Sequence, residues 1–305
     1  MNREFYDRLT TIVSSENIAF EEPMKKHTTF RIGGIADIYV TPSIAQVPQI
    51  IALAKEYKVP VTIIGNGSNL LVGDKGIRGL VLSFAKPADY LEIDEATGRL
   101  YVGAGTMLSR VAQEAARHQL TGMEFAAGIP GSIGGAIVMN AGAYGGEIKD
   151  IIVSAKVLAQ DGNVIELSRE ELDLSYRHSC IPEHGYIVLE AVLALAKGEK
   201  AQIRAKMDEF KNARLEKQPL EYPSAGSTFK RPEGYFAGKL IDDAGLRGYR
   251  VGGAQVSTKH CGFVINTGDA TAKEVLQLIQ DVQKKVYDTF SVHIEPEVKM
   301  MGEFE

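Results

Sequence analysis

Seven glycines crowd one stretch of this chain: Gly128, Gly131, Gly134, Gly135, Gly142, Gly145 and Gly146. Glycine loses more backbone freedom on folding than any other residue, so such density persists only where the backbone turns sharply or lies against something a side chain would block. The segment, AAGIPGSIGGAIVMNAGAYGGEI, has no Lys-Ser/Thr after its glycines, which excludes a nucleotide-triphosphatase loop. Two readings stay open, a ligand laid along bare main chain or a close-packed helix junction. A smaller cluster lies upstream. In VTIIGNGSNLLV an apolar strand runs straight into Gly65, Gly67 and Ser68, and successive N–H groups in such a turn can line an anion. A dinucleotide fingerprint would need glycine at position 70, where Leu70 stands, and VGAGTML fails the same test at Leu108. Two separated glycine turns suit a long ligand with a diphosphate in its middle.

Other classes are excluded by composition. A net charge of −5 does not match a dedicated nucleic-acid binder, whose affinity comes from neutralised phosphates. The least polar stretch, residues 125–139, is too short to span a bilayer and contains Pro130. The N-terminus mixes both charge signs with no apolar run, unlike a signal peptide, and Cys180 and Cys261 lie far apart with no metal-type spacing. We expect a cytoplasmic protein without metal, nucleic-acid or membrane partners, as a monomer or weak oligomer. At 305 residues, two domains are expected.

Periodicity predicts a mixed α+β chain. Residues 31–40 read as extended, and a helix follows with Thr41 as cap and Pro42 in its first position. Residues 61–64 and 100–102 read as strands and 107–118 as an amphipathic helix. Asp161-Gly162 marks a hairpin between 151–158 and 164–167, and 186–195 forms another strand. A charged helix over 199–217 turns Ile203, Met207 and Phe210 inward as a connector. In the last lobe, Thr271 and Glu274 form a capping box for a helix over 272–290, and HIEPEVKMM reads as a final strand.

Ser227 to Lys230 matches S-x-x-K, yet the S-D-N and K-T-G partners of penicillin-recognising enzymes do not occur. What matters is which motifs accompany one another: GNGSN at 65–69, the 128–148 segment, YRHS at 176–179, AGSTFK at 225–230 and EPEVKMMG at 295–302. In this order, over nearly the whole chain, they resemble the UDP-N-acetylenolpyruvoylglucosamine reductase family, flavoenzymes that complete UDP-N-acetylmuramate for bacterial cell walls.

That resemblance implies a two-subdomain FAD-binding fold of the vanillyl-alcohol-oxidase (PCMH) type with a C-terminal α+β substrate-binding lobe. It implies a helical leader over 1–27, an FAD domain over 28–197 split near 85–100, and a connector helix and substrate lobe over 198–305. Non-covalent FAD would contact Gly65, Asn66, Gly67, Ser68, Asn69 and Leu70, then Gly128, Ile129, Pro130, Gly131, Ser132, Gly134, Gly135, Asn140, Ala141 and Gly142. NADPH would be the co-substrate and a UDP-sugar the substrate. Ser227 matches the family's proton donor, Arg177 its YR arginine and Glu297 its PEV glutamate. Some members carry a tyrosine-bearing insertion after the YR motif that folds over the nucleotide. Residues 179–187 leave no room for one, so the chain resembles the shorter class. Arg231 stands where other members have Asn.

The chemistry suits these residue types. Hydride delivery to the enolpyruvyl methylene leaves negative charge spread into the carboxylate, which a guanidinium at Arg177 can stabilise. Ser227 would protonate the carbanion, and Glu297 would either polarise the substrate carboxyl as a protonated acid or orient its neighbours, burial beside an anion favouring the protonated form. Lys217, Lys230, Arg247 and His260 are expected at the substrate's diphosphate and carboxylate. Two further readings compete with an NADPH-oxidising reductase: an oxidase of the same flavin fold, and a non-catalytic nucleotide-binding module. The glycine turn offers asparagines and no histidine for covalent flavin attachment.

Overall fold

The computed structural model describes residues 3–84 and 88–304, which form two compact units. The first contains residues 1–20, 38–66 and 79–213; the second contains 21–37, 67–78 and 214–305. This interleaving departs from the expected consecutive domains. Residues 1–27 are no separate leader, because the amphipathic helix Arg3–Ile12 buries Phe5 and Leu9 in one core with Ile50, Leu53, Leu80 and Leu82. The expected split near 85–100 opens in residues 85–87, outside the described residues.

The first unit is built around two sheets. One orders its strands Ile18–Pro23, Ile35–Val40, Ile77–Ser83 and Val61–Ile64, with the last pair parallel through Val61–Leu80 and Ile63–Leu82. The chain enters or leaves the unit within three of these strands. The other is antiparallel, in the order Val164–Ser168, Ile152–Leu158, Ile187–Ala194, Arg99–Gly103, Leu91–Asp94. Its Asp161-Gly162 turn forms as expected, with Gly162 at φ +91°. Helix Leu108–Arg117 buries Leu108, Val111, Ala112 and Ala115 at helical spacing in the same core as this sheet.

The helix expected after Thr41 starts later. Thr41 donates its N–H to Asn17 O and stays outside the helix, while Ser43 and Gln46 form a reciprocal capping box on a short 3-10 turn leading into Val47–Glu56. S-x-x-Q was the stronger signal.

The second unit packs helix Ala272–Phe290 against an antiparallel sheet ordered Ser224–Ser227, Phe263–Asn266, Ala254–Val256, Arg250–Val251. Val275, Leu278, Ile279, Val282 and Val286 form the buried stripe. The Thr271–Glu274 box forms, and the Asp74 carboxylate accepts from the N–H groups of Ala272 and Lys273 at 2.8 and 3.0 Å. Strand Leu70–Val72 pairs in parallel with Lys299–Met301, so only the end of HIEPEVKMM is a strand. No helix among the described residues is long and apolar enough to cross a membrane.

Candidate functional site

In the first unit, Val61–Ile64 delivers Gly65 and Asn66 onto the glycine-dense segment. A Cβ on Gly65 would sit 2.3 Å from Ser132 Oγ, so any other residue there would push the Ser132 hydroxyl aside. Asn66 Nδ2 donates to Pro130 O at 2.7 Å, tying the two clusters together. The segment is held from its other side by a stretch the fingerprint test dismissed: Leu108 N donates to Gly131 O, Ile133 N to Thr106 O and Gly134 N to Ala104 O, at 2.8–2.9 Å. A Cβ on Gly134 would press Ala104 Cβ at 3.1 Å, so this glycine serves close packing. Of the two readings left open by sequence, close packing holds at Gly134.

Ser132 is 2% exposed, and its Oγ has no hydrogen-bond partner among the described residues. A buried hydroxyl without a partner costs about 1–3 kcal/mol, so one beside a clearance that excludes Cβ atoms points to an absent polar ligand. The backbone N–H groups of Asn66, Gly67 and Ser68 likewise find no acceptor among the described residues. Gly67 takes φ +62°, and a Cβ there would strike His27 O. Within the first unit, the uncommitted Ser132 hydroxyl and Asn66 N–H fit an anionic group such as a diphosphate.

Asn140 differs from its neighbours. It is fully buried, its Nδ2 donates to Glu147 Oε2 (2.5 Å) and Ser175 O (3.0 Å), and its Oδ1 accepts from Lys149 N (2.9 Å). The side chain is spent on the protein rather than presented to a cofactor. It staples the glycine segment to the turn of Arg177, where Ser175 and His178 exchange backbone bonds and Arg177 takes φ +55°. Ser179 Oγ adds a 2.8 Å bond to Val138 O, and Arg177 Nη2 lies 3.5 Å from Gly142 O. Gly128, Pro130 and Gly135 are exposed, while Ile129, Gly131, Ala141 and Gly142 are partly covered.

In the second unit, the strand Ser224–Ser227 breaks register beside Gly226, which takes φ +75°. The irregularity leaves Ser227 exposed, its hydroxyl bonded to nothing among the described residues. The next residue is the anchor. Thr228, 1% exposed, donates its N–H to Gly262 O, accepts from Glu297 N at its carbonyl, and accepts from Val264 N at Oγ1. Lys230 N donates to Glu295 O, and the Lys230 ammonium pairs with Glu295 at 3.0 Å. Asn69 Nδ2 donates to Glu297 O at 3.1 Å while Lys299 N donates back to Asn69 O. Asn69 thus organises the Glu297 segment, and Leu70 begins the strand beside it.

His260 Nδ1 accepts from Gly262 N at 3.0 Å, which fixes the proton of the neutral ring on Nε2. Burial, with the Arg247 charge nearby, holds this imidazole below its ordinary pKa. Arg247 is committed, bidentate on Asp242 at 2.9 and 2.6 Å and bonded to Thr258 O. That pairing lowers the Asp242 pKa, and burial pushes the Cys261 thiol up to about 11. Lys217 ends helix Lys200–Lys217, exposed, its ammonium bonded to none of the described residues; the helix end meets the His260 loop through Lys259 Nζ on Leu215 O.

The chain matches two known families, an FAD binding domain over residues 36–168 and the C-terminal domain of UDP-N-acetylenolpyruvoylglucosamine reductase over 218–301. It is 57% identical to the UDP-N-acetylenolpyruvoylglucosamine reductase of Agathobacter rectalis, with all of both chains aligned. The chain belongs to the UDP-N-acetylenolpyruvoylglucosamine reductase family. The reductase of Lachnoclostridium phytofermentans is 56% identical over 99% of each chain. The crystal structure of the Thermus caldophilus reductase aligns with a TM-score of 0.79 at 38% identity, covering 92% of this chain and 97% of that one. A 4-ethylphenol oxidase from Gulosibacter chungangensis, at 18% identity and TM-score 0.50 over 64% of this chain and 42% of its own, shares the fold alone. The fold is thus the α+β flavin fold expected, and the chain is an FAD-dependent oxidoreductase of this family.

Proposed function

We propose that this chain reduces UDP-N-acetylglucosamine enolpyruvate to UDP-N-acetylmuramate with Ser227 as proton donor and NADPH as the source of hydride. The observation that carries it is the uncommitted Ser227 hydroxyl, fixed one residue from the Thr228–Glu297 backbone bond. Ser132 Oγ and the Asn66 N–H would hold the cofactor at its diphosphate, and FAD bound there would, when reduced, supply the hydride for the substrate methylene. Ser227 then gives its proton to the adjacent carbon, a transfer a positioned acid typically speeds by about 10²–10⁴. Arg177, on its constrained turn, neutralises charge developing on the substrate carboxylate. Glu297 presents a carboxyl to the same region of substrate as Ser227, as a neutral donor. His260 contributes a fixed Nε2–H to the diphosphate, and Lys230 and Lys217 add positive charge. Arg247 acts by tying Asp242 to the Thr258 carbonyl, two residues before His260. The reaction is placed in the cytoplasm, a reducing compartment that suits two free, buried cysteines.

Rapid mixing of Ser227→Ala in two half-reactions tests the assignment. Bleaching of the flavin by NADPH should stay fast, and its re-oxidation by the enolpyruvyl substrate should slow by orders of magnitude. Equal slowing of both would show that Ser227 has another task.

A further inference from the structure

Phe236 is 62% exposed, the most exposed of the large apolar side chains given for the described residues. It is not a random surface phenylalanine. The Arg231 guanidinium lies over its ring, 4.5 Å from the centroid, a geometry that orients the ring and leaves a flat apolar surface facing water. Phe236 is the cap residue of helix Ala237–Asp243, its carbonyl accepting from Lys239 and Leu240 N–H groups, so its backbone is rigid.

Its location supplies the reason for the exposure. Two residues on, a Cβ on Gly238 would meet Gly262 N at 3.1 Å and His260 Cε1 at 3.2 Å. Gly262 is also the residue whose carbonyl holds Thr228 N, next to Ser227. Gly238, in the helix that Phe236 caps, thus packs on Gly262 and the His260 ring, and Gly262 in turn holds the residue after Ser227, all within the second unit. A substrate with its reacting carbon at Ser227 and its diphosphate at His260 extends its nucleoside toward Phe236.

We infer that Phe236, braced by Arg231, is the stacking platform for the uracil ring of the substrate, a base site formed without any tyrosine-bearing insertion. The inference rests on the reading of this unit as the UDP-sugar site. Stacking on an aromatic face is what a planar pyrimidine offers that neither the sugar nor the diphosphate does. The Arg231 guanidinium on the ring adds to its attraction for an anionic nucleotide over an apolar partner.

The test uses the FAD-loaded protein and three probes: UDP, 5,6-dihydro-UDP with its puckered base, and inorganic pyrophosphate, each titrated by calorimetry. Wild type should bind UDP more tightly than dihydro-UDP. Phe236→Ala should lose about ten-fold in UDP affinity, cease to discriminate the two nucleotides, and keep its pyrophosphate affinity. Phe236→Tyr should restore discrimination. Unchanged UDP binding in Phe236→Ala, or equal loss for UDP and pyrophosphate, would overturn the platform while leaving the site reading intact. Wild type that binds neither UDP nor pyrophosphate would overturn the site reading and the platform with it.

Discussion

Glu297 donates its backbone N–H to the carbonyl of Thr228 at 2.8 Å. The bond belongs to main chain, as does that from Lys230 N to Glu295 O, and the Asn69 side-chain amide donates to the main-chain carbonyl of Glu297. The Ser227 side chain can therefore be altered without releasing either segment, and main-chain bonds still tie the segment of residue 297 when its side chain is changed.

For Glu297, the Gln variant should keep a neutral donor of the same shape, and the Ala variant removes it. We expect Glu297→Gln to retain more kcat than Glu297→Ala, the latter falling by about 10²–10⁴, with melting temperatures alike. The opposite ranking in steady-state kinetics would mean that the carboxylate form is the working one.

Ser132 gives a prediction with opposite signs in two states. Without FAD, Ser132→Ala removes a buried hydroxyl that has no partner, so the apo protein should be as stable as wild type or more so. With FAD, the same change should weaken binding by about ten-fold or more, the loss of one hydrogen bond to a charged group. Gly65→Ala should also weaken FAD, because its Cβ would displace the Ser132 side chain. Flavin fluorescence titration and apo-protein melting read the two states; a destabilised apo Ser132→Ala would contradict the orphan hydroxyl.

Asn140 links the glycine segment to the Arg177 turn through three hydrogen bonds. Asn140→Leu strands the Lys149 N–H and the Ser175 carbonyl in a buried setting, at about 1–3 kcal/mol for each group left unsatisfied. A fall in chemical-denaturation midpoint and a lower kcat for the enolpyruvyl half-reaction are expected together. A variant with full stability and full kcat would show the staple to be dispensable.

The helix Ala272–Phe290 gives a pH dependence. Backbone N–H bonds from Thr271 and Gly253 hold the Glu274 carboxylate below its ordinary pKa. A depressed acid stabilises the fold above its unfolded value near 4.5 and gives up that contribution as pH drops through the folded value. Glu274→Gln should therefore melt earlier than wild type at pH 7 and converge with it toward pH 3. Asp74→Ala, which removes a cap from the same helix, should cost about 1–2 kcal/mol.

Short-range grammar was readable in advance: the Asp161-Gly162 hairpin, the Thr271–Glu274 box and the Ile203 face of the connector all formed. So was the chemical character of the glycine turns, because a clearance that excludes Cβ leaves glycine as its only sequence trace. What sequence did not show was long-range. Nothing near Asp74 marks it as a cap for a helix almost two hundred residues later. Asn140 and Asn66 look alike in their motifs, yet one bonds inward to Glu147 and Ser175 and the other to Pro130. Thr41 lost the cap to Ser43 because its N–H and its hydroxyl are both taken by Asn17, at the end of an earlier 3-10 turn. Such partners are set by tertiary contact, which local pattern does not encode.

Because Leu70–Val72 lies in register with Lys299–Met301 and Asp74 covers the first turn of Ala272–Phe290, the carboxy-terminal unit borrows part of itself from a distant piece of the chain. A fragment expressed from residue 214 onward would leave one strand unpaired and one helix end bare. Gene fusions, permutations or split versions that separate residues 67–78 from the carboxy-terminal portion should thus fail to fold, however well the cut suits the two recognised sequence families.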